Sequence, residues 1–198
     1  MEHAMYARKA GSAVGQMFFA GFGTLWMTAW CLHLHGWDWP MLGLILMAGS
    51  TLFLWAWCDY RAFRPYVDPK AEPAAQKARA RAFRWINAVQ WLAVVVANIV
   101  LNAVGRPGWT APAVILIVGL HLLPLARLFR APRHYVTGLA LIVVALAYPW
   151  MAGADSNYPA GEFATGAILW ISVLYASLSG RFGEASAVTF ERQRIMAK

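Results

Sequence analysis

The sequence predicts an all-α integral membrane protein, a bundle of six transmembrane helices with both termini in the cytoplasm. Of its 198 residues, 60% are hydrophobic and only 13% are charged, whereas a soluble domain is about 25% charged. The chain contains six uncharged stretches of the length that crosses a bilayer, about 20 residues. Nearly all of its basic residues fall on one side of the membrane that these stretches define.

The six uncharged stretches follow one another with short charged segments between them. They cover residues 10–37, 39–58, 85–105, 107–126, 134–154 and 163–180. We expect helices at about 10–34, 41–58, 82–104, 112–130, 135–152 and 162–180, a basic linker at 61–81 and a short tail at 181–198. Because the helices use most of the chain, we predict a single membrane domain without a separate soluble catalytic domain.

The charge distribution predicts the orientation of these helices. If the chain starts inside, sixteen of its seventeen basic residues lie on the inner side, and only Arg106 lies outside. The positive-inside rule then places both termini in the cytoplasm. We therefore expect a protein of the bacterial cytoplasmic (inner) membrane. The net charge of +8 predicts contact with anionic lipid headgroups rather than with nucleic acid.

The first uncharged stretch is expected to remain in the mature protein as a helix. It is longer than the apolar segment of a signal peptide, which has about 7–15 residues. Under this topology Cys31 lies near the outer end of the first helix and Cys58 near the inner end of the second. An intrachain disulfide between them is therefore excluded.

The outer turn after the first helix holds weak candidates for metal ligands, His33, His35 and Asp38. Imidazole and carboxylate groups are suitable zinc or copper ligands. However, residues two apart point to different sides of a helix, and no spaced metal motif accompanies them. We predict no metal site and no cofactor.

The third helix is the most polar of the six. Asn87, Asn98 and Asn102 fall within one narrow arc at 100° per residue, and Gln90 lies beside it. Carboxamides in a membrane helix are expected to face protein or water rather than acyl chains. They either form hydrogen bonds between helices or line a cavity. The sixth helix has a milder polar stripe, Thr165, Ser172, Tyr175 and Ser179.

His121 is the main candidate for a functional residue. It lies near the middle of the stretch 107–126, and an ionisable group at that depth is expensive to bury. Pro124 removes a backbone donor one turn later, and Arg127 follows at the inner mouth. Alternatively, His121 forms a hydrogen bond with a neighbouring Asn or Ser and only helps assembly. His134, in the turn after the fourth helix, is expected to be solvated.

Sequence patterns of enzymes are nearly absent. The chain has no nucleophile elbow, no His-Glu-x-x-His and no phosphate-binding loop. No acidic residue lies inside the six uncharged stretches. These observations disfavour a membrane-embedded enzyme.

The sequence therefore predicts a small transporter or ligand-binding membrane protein, acting as a homodimer on a small-molecule ligand. Its pocket is expected between the third, fourth and sixth helices. The expected lining is Asn87, Gln90, Asn98, His121 and Tyr175, with Arg127 at the inner mouth. The alternatives are a non-catalytic assembly or regulatory protein and, third, a membrane enzyme.

Overall fold

The computed structural model of the chain describes residues 2–66, 73–151 and 159–196, and their secondary structure is helical throughout. This confirms the all-α prediction. The helices are α1 (Glu2–His35), α2 (Trp39–Phe63), α3 (Pro73–Ala103), α4 (Thr110–Phe129), α5 (Arg133–Met151) and α6 (Ala160–Met196). Single 3-10 turns follow α2 at Arg64–Tyr66 and precede α4 at Pro107–Trp109.

Five of these helices, α1, α2, α3, α4 and α6, are long and apolar enough to cross a membrane. The chain is thus a membrane protein by the length and composition of its helices. The remaining helix, α5, is not in this set. Its 19 residues begin with the polar pair Arg133 and His134. It nevertheless packs between α4 and α6, and its Leu141 is completely buried.

Most helices extend beyond the bounds that the sequence predicts. We took the helix ends at charged residues, but a helix can continue past the hydrocarbon layer, where charged side chains are solvated. For this reason α1 begins at Glu2, α3 begins within the predicted linker at Pro73, and α6 runs through the predicted tail. The linker residues 67–72 and the last two residues of the tail lie outside the described part of the chain.

Local signals define the ends of α2 and α4. The Asp38 carboxylate accepts a hydrogen bond from the Met41 amide at 3.1 Å, which caps the first turn of α2. The preceding Gly36 has a φ of 66°, a conformation that glycine adopts without steric penalty. At the C-terminal end of α4, the capping residue Arg130 adopts the left-handed conformation with φ 51° and ψ 43°.

The helices pack in a definite order. In the part of the chain that the structure describes, α2 packs on α1, α1 on α6, α6 on α5, α5 on α4 and α4 on α3, with further contacts of α6 to α2 and α4. No other helix touches α3 there. The fully buried side chains lie along this order and include Cys31, Ile115, Leu141, Leu169 and Val173.

Glycine pairs allow two of these helix contacts to be close. A Cβ on Gly119 of α4 would lie 2.9 Å from the Gly138 carbonyl oxygen of α5. Between α1 and α6, a Cβ on Gly166 would lie 3.0 Å from the Gly23 carbonyl oxygen. Lipid supplies little hydrophobic force between helices, so close backbone packing at small residues is a main source of their association.

Candidate functional site

His121 lies at the contact between α3 and α4. Its imidazole faces the backbone of Ile86 on α3. The ring nitrogen Nδ1 is buried and has no hydrogen-bonding partner among the described residues. A buried polar atom without a partner costs about 1–3 kcal/mol. The packing of α3 on α4 therefore covers this nitrogen without satisfying it.

An open groove of about 480 Å³ lies between α3, α4 and the start of α5. Ile86, whose backbone the His121 ring faces, is part of its wall, whereas His121 itself is not. The groove is lined by Ile86, Leu123, Pro124, Arg127, Leu128 and Tyr135. Its volume falls within the range of ligand sites, about 300–1,000 Å³. Two residues that the sequence analysis singled out, Pro124 and Arg127, therefore belong to one concave surface, although α4 continues through Pro124 without a break.

The predicted polar stripe of α3 separates into two parts. Asn87 and Gln90 are half-buried, whereas Asn98 and Asn102 are exposed. The Asn102 side-chain nitrogen donates to the Asn98 backbone carbonyl at 2.8 Å and lies 3.3 Å from the Asn98 side-chain oxygen. Asn98 and Asn102 thus satisfy part of their hydrogen bonding within α3.

The structure does not bring all the predicted site residues together. Tyr175 is 65% exposed on α6, and in the described chain α6 does not touch α3. His121 and Arg127 lie on α4, with Asn87 and Gln90 on the helix packed against it. Helical periodicity had grouped the residues on each helix, but it contains no information about which helices are neighbours.

No protein-family model, no curated protein and no solved structure matches the chain.

The three weak candidates for metal ligands at the turn between α1 and α2, His33, His35 and Asp38, each have another contact. His33 Nδ1 lies 2.9 Å from Glu162 Oε2 on α6, and the His35 ring packs edge-on against Trp30 at 5.8 Å. Asp38 caps α2. The described residues include no group of three His, Cys, Asp or Glu side chains placed to hold a metal ion.

Glu162 is a residue that the sequence analysis missed. It is only 7% exposed, although it marked a helix boundary in the charge pattern. It is the third residue of α6, and a carboxylate in the first turn of a helix is stabilised by the free amide groups there. That position, together with a histidine at the C-terminal end of α1, is the signal that could have identified the pair.

A second polar cluster lies at the opposite end, between α1, α5 and α6. The Arg133 guanidinium donates to the Ser12 hydroxyl. Ser12 also accepts from the Gln16 amide at 3.0 Å, and Ser177 donates to Gln16 Oε1 at 2.8 Å. Arg133, which the sequence analysis treated only as a topology signal, thus begins a chain of hydrogen bonds across three helices.

His134 lies next to this cluster. The sequence predicted a solvated side chain here, but the ring is half-buried. Its ring packs edge-on against Phe19 at 5.3 Å and lies 3.9 Å from the position of a Cβ on Gly15. Burial, with the charge of the neighbouring Arg133, lowers the pKa of His134 to about 4. The histidine is therefore neutral at physiological pH.

Proposed function

We propose that the chain is a six-helix membrane protein that binds a small molecule at the groove between α3, α4 and α5. The observation that carries this proposal is the buried His121 Nδ1 without a protein partner, within one turn of Pro124 and next to Ile86 of the groove wall. Because Nδ1 is covered and His121 is not part of the groove lining, a ligand forms a hydrogen bond with the imidazole only after the wall at Ile86 moves aside. Arg127 supplies a positive charge at the other end of the site.

We propose that α5 is the sixth crossing and that both termini are cytoplasmic. The support for α5 is its position between α4 and α6, two helices apolar enough to span. The support for the orientation is the distribution of basic residues, of which only Arg106 falls on the outer side. This orientation corresponds to the inner membrane of a bacterium.

Transport is a second function that a specific observation favours. The contact of α1 with α2 corresponds to that of α4 with α5, and the contact of α1 with α6 corresponds to that of α4 with α3. An inverted repeat of three plus three helices produces such a pattern, and many carriers are built from inverted repeats. Three further contacts, those of α6 with α5, α2 and α4, have no counterpart, because α3 packs on no helix but α4 in the described residues.

We further propose that two copies associate through α3. The exposed Asn98 and Asn102 lie on a membrane helix, where polar side chains normally face protein. α3 packs on α4 alone among the described helices, so the rest of its surface is open to a second copy.

A thermal-shift screen of the purified protein against metabolites, lipids and metals tests the binding proposal. A ligand at about 100 times its Kd stabilises the fold by about 2.7 kcal/mol. We expect His121→Ala to stay folded and to lose most of that stabilisation. His35→Ala, a change of an exposed histidine at the outer turn, serves as the control and should keep it.

Two outcomes would contradict the proposal. If His121→Ala responds to the ligand as the wild type does, the histidine is not part of the site. If both His121→Ala and the gentler His121→Gln unfold without ligand, the residue is structural, and an assembly or regulatory role becomes the better explanation. A membrane enzyme would instead require a second reactive group to converge on the groove.

A further inference from the structure

We infer that the groove between α3, α4 and α5 binds an anionic lipid, with an acyl chain on its apolar wall and the headgroup at Arg127. This inference rests on the proposal that the groove is a ligand site, and it names the chemical class of the ligand.

The wall of the groove suits an acyl chain. Four of its six lining residues, Ile86, Leu123, Pro124 and Leu128, have apolar side chains. Three of these belong to α4, and Ile86 belongs to α3; both helices are apolar enough to lie within a bilayer. The groove is open at the protein surface rather than enclosed, so a lipid can enter it from the surrounding membrane.

The remaining two lining residues suit a headgroup. Arg127 is exposed in the last turn of α4, and Tyr135 is exposed near the start of α5. A guanidinium binds phosphate oxygens in bidentate geometry, and tyrosine is enriched at the level of lipid headgroups. The polar end of the groove therefore lies at the end of the bundle that carries the turn between α4 and α5.

The charged residues of the three helices that form the groove are all basic. Phe83 of α3 packs against Phe129 of α4 with ring centroids 5.8 Å apart, which brings the neighbouring Arg84 and Arg130 to the same end of the bundle. The sequence has no aspartate or glutamate between residues 73 and 151, the segment that forms all three helices of the groove. No carboxylate of that segment competes with an anionic headgroup for Arg127.

A second groove in the same molecule provides an internal comparison. It lies between α1 and α2, has a volume of about 580 Å³ and contains no charged residue. Its lining is Val14, Met17, Phe18, Gly21, Phe22, Leu25, Phe53 and Trp57. Such a surface can hold acyl chains of any lipid, so a preference for an anionic headgroup is expected only at the groove with Arg127.

Native mass spectrometry of the full-length protein in detergent tests this inference. The protein is titrated with phosphatidylglycerol and, separately, with phosphatidylcholine of the same acyl chains. We expect the wild type to bind phosphatidylglycerol about fivefold more tightly, as one favourable basic contact predicts. Arg127→Gln should lose that preference. Arg61→Gln, which removes an exposed charge at the inner end of α2, should keep it.

Three results would overturn the inference. Equal losses in Arg127→Gln and Arg61→Gln would mean that the lipid responds to the basic surface in general. Equal binding of the two lipids would mean that no headgroup is recognised. Displacement of phosphatidylglycerol by millimolar glycerol 3-phosphate would assign the site to a soluble anion.

The same measurements separate this inference from the proposed function. If phosphatidylglycerol shows no preference but a soluble compound stabilises the protein through His121, the lipid is excluded and the ligand site remains. If no lipid or soluble compound binds in a manner that depends on His121 or Arg127, both proposals fail.

Discussion

His134 shows how burial changes the behaviour of a side chain next to a charged turn. Its ring lies against Phe19 and Gly15 of α1, and the one charged group known to act on it is its neighbour Arg133. Neither Phe19 nor Gly15 can accept a proton or balance a positive charge. Protonation therefore places a second positive charge in a partly desolvated site.

This arrangement predicts a loss of stability in acid. The pKa of His134 is about 4 in the folded protein and about 6.5 in an unfolded chain, so the unfolded state binds the proton first. Above pH 6.5 the residue leaves stability unchanged, and as the pH falls from about 6.5 to about 4 it lowers the free energy of unfolding. The thermal midpoint of wild-type protein should fall over this range more steeply than that of His134→Phe.

His35→Phe is the matched control, since it removes an exposed histidine at the other end of the bundle. Its midpoint should follow the wild-type pH dependence. An unchanged slope in His134→Phe would show that the proton responsible binds elsewhere.

Sequence reasoning identified one of the two half-buried histidines, His121, and missed the other, His134. His121 lies in the middle of an uncharged stretch, so its depth follows from counting residues. His134 follows Arg130 and Arg133 in sequence, which suggested solvent. Its burial depends on Gly15 and Phe19, more than a hundred residues earlier in the chain, and no local pattern contains that information.

At the scale of the helices, the contact between α4 and α5 depends on two glycines. A Cβ on Gly138 would lie 2.8 Å from the Gly119 backbone oxygen, too short for a carbon–oxygen contact. Since a backbone oxygen cannot rotate away, the helices would have to separate. The same contact supports α4, the helix that carries His121 and Arg127.

We therefore expect Gly138→Ala to lower the free energy of unfolding by about 1–3 kcal/mol. Gly43→Ala is the control, because a Cβ at the exposed Gly43 of α2 meets nothing within 4 Å. Alanine there should be neutral or slightly stabilising, given its higher helix propensity. The two variants are compared by thermal unfolding in detergent, and equal midpoints would argue against close packing at Gly138.

Helix existence was predictable from sequence, and helix neighbours were not. Uncharged stretches predicted each of the six helices, since a charge within the hydrocarbon layer is expensive. The period of 3.6 residues then grouped Asn87 with Asn98 on one face of α3. It could not show that this face is half-buried at Asn87 and exposed at Asn98, which depends on how the helices cross.

For the whole molecule, the orientation in the membrane is the property that charge predicts most directly. We expect a membrane-impermeant thiol reagent to label Arg106→Cys in intact cells and to leave Arg61→Cys and Arg130→Cys unlabelled until the cells are opened. The substitutions are made in a chain without Cys31 and Cys58, since Cys58 is exposed. If Arg61→Cys is labelled in intact cells, the predicted orientation is wrong and the opposite one holds.

The contact between α1 and α6 joins the first and the last helix of the chain, and this has a consequence for biogenesis. Helices that are adjacent in sequence, such as α1 with α2 and α4 with α5, can pair soon after the second of them leaves the ribosome. The face of α1 that carries Gln16 and Gly23 has its partners, Ser177 and Gly166, on α6. That face therefore stays uncovered through most of synthesis, and a nascent chain that stops before α6 presents Gln16 Oε1, without its donor Ser177, to lipid or to a membrane chaperone.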